Sequence, residues 1–93
     1  MSTPRPIHPG EILREDFLPE YDLTPSSLAS ALHVPRDRIE KIVRGKRAVS
    51  ADTALRLARY FGTTPQFWMN LQANFDLASV ADEDIGSIQP RAA

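Results

Sequence analysis

The chain has no cysteine, a single tryptophan and only four glycines among its 93 residues. Without cysteine there is neither a disulfide framework nor a thiolate metal site, so stability has to come from a packed core. No apolar run approaches the ~20 residues needed to cross a bilayer, and the opening "MSTPRPIHPGE" lacks the apolar middle of a secretory leader. A soluble cytoplasmic protein with no membrane association is expected. Nucleophile-elbow and phosphate-loop patterns are also missing, so no enzymatic activity is expected. His8 and His33 lie far apart with no His-x-x-x-His pair, which argues against a metal site and leaves no cofactor implied. His8 suits a helix start better than a ligand set.

The composition present is 42% hydrophobic and 25% charged, which is that of one globular domain. The net charge of −1 conceals a segregation. Between Val34 and Arg47 stand six basic residues and two acidic ones, whereas the rest of the chain holds five basic and ten acidic. Global charge argues against a polyanionic partner. Local charge argues for one, because counterion release needs cations gathered on one surface.

Helix signals recur along the chain. Pro4 and Pro6 make the first residues extended, Pro9 and Glu11 suit a first turn, Ile12, Leu13 and Phe17 give an apolar face, and Pro19 is expected to end that helix. Thr24 caps a second helix whose inward stripe is Leu28, Ala29 and Leu32. A third, about 35–44, opens at Pro35, turns Ile39, Ile42 and Val43 inward, and stops at Gly45. Ser50 caps a fourth with Ala54, Leu55, Leu57, Ala58 and Phe61 as its apolar residues, and Thr64 and Pro65 open a fifth, about 65–79. Residues 81–93 read as an acidic, flexible tail behind a single domain spanning 1–80. There is no convincing strand, so the fold class is all-α with five helices.

The second and third helices have the parts of a helix-turn-helix. The brace must pack closely, and Ala29 is small. The turn needs a positive-φ residue followed by an apolar plug, which His33 and Val34 supply. Leu28, Ala29, Val34, Ile39 and Ile42 then form the motif's core. With Ile39 and Ile42 inward, Arg36, Asp37, Glu40, Lys41 and Arg44 project from the free side and are candidate readers of base edges. Arg38, Lys46 and Arg47 read as phosphate clamps, and Thr24, Ser26 and Ser27 at a helix start offer a further phosphate site. A charged helix face is often only a solvated face. Here brace, turn, plug and anchors occur in order with the basic cluster on the free side, which favours DNA.

The segments "HPGEILREDFL", "LASALHVPRDRIEKIVRGKRAVSADTALRLARYFGTTPQFWMNLQ" and "FDL" resemble the HigA (VapI-like) antitoxins, a branch of the Xre/Cro-type helix-turn-helix proteins, from about Ile7 to Val80. The resemblance implies a five-helix bundle of the lambda-repressor-like type. It also implies a homodimeric antitoxin that neutralises a HigB/RelE-like mRNA-cleaving toxin and represses its own operon at a palindromic operator of double-stranded DNA. Family members commonly carry Asn-Gly after the recognition helix where this chain has Arg44-Gly45, so a relative's operator does not transfer. A solitary Xre-type repressor without a toxin, and a pure protein-interaction module, are the competing readings.

Phe67, Trp68, Leu71 and Phe75 lie at helical spacing on the fifth helix. They close the core over the first and fourth helices, contribute to a two-fold dimer seam, or do both. Dimerisation is expected on physical grounds too, since one recognition helix covers few base pairs and half-sites ~34–36 Å apart are read in pairs. Arg56 and Arg59 are expected to be solvated, to pair with Asp52, or to flank DNA, in that order. The carboxylates Asp76 and Asp82 to Asp84 read as solvating, or else as a contact for a basic toxin.

Overall fold

A computed structural model describes residues 5–92, so the expectation for Pro4 lies outside the described residues. Six helices run along the chain and there is no strand among the described residues. Helix α1 has three consecutive parts, an α-turn Pro9–Ile12, a π-helical stretch Leu13–Phe17 and a final turn Leu18–Glu20. Then follow α2 (Pro25–Leu32), α3 (Arg36–Val43), α4 (Ala51–Phe61), α5 (Pro65–Ala78) and α6 (Asp82–Gly86).

The starts follow the capping chemistry of the sequence. Thr24, Ser50 and Thr64 each accept a hydrogen bond from the backbone N–H three residues on. Two expectations are corrected. Pro19 does not end α1, which continues to Glu20. Proline lacks an N–H and crowds the carbonyl four residues back; here the preceding turn is already widened, with the Leu18 N–H donating to the Leu13 carbonyl, so the ring is accommodated. The second correction is the sixth helix, a single exposed turn inside the expected tail.

The core is Leu13, Leu18, Leu28, Ile39, Leu57 and Trp68 with their smaller neighbours. Helix α2 packs on α3 and α4, while α5 lies across α4 and α1, and α1 also touches α3. Helix α3 is therefore held from behind by both α1 and α2. Ile39 is completely buried. Ile39→Ala is expected to cost about 2–5 kcal/mol of folding stability, read as a shift in the denaturant midpoint.

Trp68 is fully enclosed, its Nε1–H donating to Thr63 Oγ1 at 2.9 Å, and Phe17 packs against it at a tilt with ring centroids 4.9 Å apart. The stripe expected to share core and dimer roles thus divides. Trp68 is core alone, Leu71 and Phe75 are half-buried, and Phe67 is at the surface. Leu55, counted among the apolar residues of α4, is exposed as well. Beyond the core, α5 continues outward and the molecule measures 52 × 29 × 22 Å. Leu77, 74% exposed, and Val80, Ile85 and Ile88 stand unburied along this extension.

Candidate nucleic-acid interface

The turn between α2 and α3 forms as the residue types require. His33 adopts a left-handed conformation, φ 58° and ψ 44°, and the Val34 N–H returns to the Ala29 carbonyl at 3.0 Å. Val34 is half-buried against the core, the plug its position demands. Leu28, Ala29, Ile39 and Ile42 are all buried, and Val34 packs against the cluster they belong to.

This fixes α3 with its other side outward. Arg36, Asp37, Lys41 and Arg44 are exposed there and Glu40 is half-buried. The side chains are not independent. Arg36 Nε lies 3.3 Å from Glu40 Oε1, and Lys41 Nζ lies 3.1 Å from Asp37 Oδ2, each one turn apart. Exposed pairs at this spacing stabilise by only about 0.3–0.5 kcal/mol, whereas a good base contact discriminates by ~1–3 kcal/mol. Pairs this weak leave both cations available for a stronger contact.

Arg38 is corrected. It was expected as a phosphate clamp, but its side chain is only 22% exposed, with Nη1 2.6 Å from Asp52 Oδ2 at the start of α4. Arg56 joins the same carboxylate, Nε at 3.0 Å, and its Nη1 donates to the Leu32 carbonyl at 2.8 Å. Arg56 thus pairs with Asp52. Hydrogen bonding from Arg38, then from Arg56, holds the Asp52 carboxyl below the usual aspartate range. The network ties α3, α4 and the end of α2 into one frame, so Arg38 is a strut.

The helix-start site is narrower than expected. Thr24 and Ser27 form a closed capping box: the Ser27 N–H donates to Thr24 Oγ1 at 3.0 Å and the Thr24 N–H to Ser27 Oγ at 2.9 Å. Ser26 alone keeps an exposed hydroxyl clear of that box.

After α3, Gly45 turns the chain at φ 71°, and Arg44, Lys46 and Arg47 are exposed with no ion pair among the described residues. Three residues outside the sequence-derived site hold this basic loop. Arg14 Nη1 donates to the Val43 carbonyl at 2.9 Å, placing a cation at the negative end of the α3 dipole. The His8 ring sits against Gly45, with Phe75 edge-on at 4.9 Å. Gln72, buried in α5, accepts from the Val49 N–H at 2.8 Å. Gln72 is four residues beyond Trp68, so a polar residue on the core face was a signal available in the sequence. Arg14 gave none.

His8 also caps α1, its Nδ1 accepting from the Gly10 N–H at 2.8 Å. Burial pushes its pKa below the ordinary 6.5, partly offset by the Arg47 backbone and by Asp76. A depressed folded pKa means that the unfolded chain takes up the proton first. Stability is therefore expected to be full above about pH 6.5 and to fall as the pH drops through that value towards the folded pKa. Thermal melts at about pH 7.5 and 5.5 read the effect, and His8→Asn, a neutral cap, should remove the part due to His8.

The helix-turn-helix family profile matches residues 13–68. Virulence-associated protein I of Dichelobacter nodosus is 54% identical over 82 residues, spanning 88% of this chain and 75% of that protein. Among solved structures, the Pseudomonas aeruginosa antitoxin HigA with the higBA promoter is 51% identical at a TM-score of 0.88, covering 92% of this chain and 98% of that one. Antitoxin GraA in complex with its operator is 47% identical at a TM-score of 0.87, covering 100% and 98% respectively. The motif geometry and these likenesses agree, and the chain belongs to the HigA branch of the Xre-type helix-turn-helix family.

Proposed function

We propose that this chain is the antitoxin of a toxin–antitoxin pair, binding a palindromic operator as a dimer to repress its own operon and neutralising a HigB/RelE-like mRNA-cleaving toxin. The observation that carries the proposal is the outward, cationic side of α3, in a fold shared along its whole length with an antitoxin solved on its operator. No described helix is long and apolar enough to cross a membrane. Arg36, Asp37, Glu40, Lys41 and Arg44 read bases, and Lys46, Arg47 and Ser26 take phosphates.

The dimer seam follows from what the monomer leaves uncovered. Trp68 is unavailable, whereas Phe67, Leu77 and Val80 are exposed on or just beyond α5. A second copy is the occupant that a two-fold operator requires.

Co-expression with the neighbouring gene product tests the reading. A co-purifying complex that binds the shared promoter supports it, whereas promoter binding with no protein partner favours a solitary repressor. Arg36→Ala is expected to cost about 1–3 kcal/mol and to relax preference at one base position per half-site. Equal weakening on all sequences would make Arg36 a phosphate contact.

A further inference from the structure

We propose that Gln72 is a positioning residue for the DNA-backbone contact, acting through the basic loop that follows the recognition helix; the inference rests on the repressor reading above. The loop between Arg44 and Ser50 carries Lys46 and Arg47, long cations with no ion pair among the described residues. Cations on a wandering loop lose entropy when a phosphate is engaged, whereas a fixed backbone pays that cost on folding. The start of this loop is fixed by α3 itself, with the Gly45 N–H donating to the Ile42 carbonyl at 2.9 Å and the Lys46 N–H to the Lys41 carbonyl at 2.8 Å. Its far end has no such local bond. There the Val49 N–H points into the protein and is met by Gln72 Oε1 at 2.8 Å.

Gln72 is only 5% exposed and Val49 is buried beside it. Its amide is committed at both ends, since Nε2 donates to Asp76 Oδ1 at 2.9 Å, which fixes the orientation that leaves Oε1 facing Val49. One turn of α5 thus holds the loop twice, through Gln72 at Val49 and through Phe75 packed on the His8 ring beside Gly45. Without the Gln72 acceptor the buried Val49 N–H is unpaired, and the loop shifts to find water.

The salt dependence of binding separates this role from simple stabilisation. Each phosphate neutralised contributes about 0.9 to the slope of log affinity against log salt. With a duplex of the chain's own promoter as probe, the parent, Gln72→Leu, the Lys46→Ala/Arg47→Ala double variant and the triple combination are compared while folded by circular dichroism. Gln72→Leu is expected to weaken binding ~10-fold and to flatten the slope by about one to two, and adding the Lys46 and Arg47 changes to it should remove little more.

Should Gln72→Leu fail to fold, Gln72→Asn, whose shorter amide does not reach Val49, gives the same comparison. Rescue comes from Gln72→Glu with Asp76→Asn, which exchanges amide and carboxylate but keeps the acceptor for Val49 and the net charge; near-parent slope and affinity are expected. An unchanged slope in the Gln72 variants, with the Lys46/Arg47 pair still flattening it, overturns the proposal and leaves the repressor reading standing. A Lys46/Arg47 pair without effect on the slope overturns both the proposal and the phosphate role of the loop.

Discussion

Alanine at Gly10 is expected to lower folding stability by about 3 kcal/mol and to disturb the recognition helix in the same step. Helix propensity alone predicts the opposite, a gain of roughly 1 kcal/mol for replacing a helical glycine. The close approach of α1 to α3 decides the sign. A Cβ on Gly10 would overlap the Ile42 carbonyl oxygen and lie 2.6 Å from the carbonyl carbon, both backbone atoms that no rotamer change removes. Either α1 lifts away from the Arg14 contact to Val43, or the last turn of α3 moves. For a domain of this size the loss corresponds to a melting temperature lower by ~12–24 °C. Thermal melts of Gly10→Ala check the stability. Affinity for the promoter, measured well below the melt, should fall as well.

Removing the three exposed cations that follow α3 together, by Arg44→Ala, Lys46→Ala and Arg47→Ala, is expected to weaken promoter binding about 100-fold near physiological salt. It should also flatten the salt slope by about 1.8, the share of the two phosphate contacts Lys46 and Arg47. Stability should change by less than about 0.5 kcal/mol, because all three side chains are exposed and outside the core. The matched change at Arg38, Arg56 and Asp52 should behave in reverse. Those residues join α2, α3 and α4, and their loss is expected to appear first in the melt. Binding curves and melts on the two triple variants make the comparison.

The contrast shows where the sequence was legible. Caps were, because an N-cap is a local bond: Thr24, Ser50 and Thr64 each close on a residue three positions away. The turn was legible for the same reason, since His33 and Val34 act within a few residues of themselves. So was the division of α3 into a buried and a free side, which periodicity alone dictates.

Contacts between distant parts of the chain were not. A helical wheel places Arg38 on the flank of α3 but says nothing of Asp52, 14 residues on, which turns it from the DNA side into a strut. The seating of α1 on α3 depends on Gly10, Arg14 and Val43 meeting, and no spacing rule joins them. Pro19 misled because the rule for proline assumes a regular α-turn before it, and the turn here is wider. The fifth helix was legible as an element, but the burial of Trp68 depends on Phe17 and Phe61 from other helices, and Phe75 is met by His8 from the start of α1.

In the proposed function, α3 and the loop behind it present a fixed cationic surface to a specific duplex. Equilibrium binding of the unaltered chain to its own promoter duplex, and to a shuffled duplex of equal length, across a range of salt concentrations tests it most directly. Affinity should fall steeply and linearly on logarithmic axes for both, with the promoter held at least ~10³-fold more tightly. Equal affinity for the two duplexes, or binding indifferent to salt, contradicts the claim.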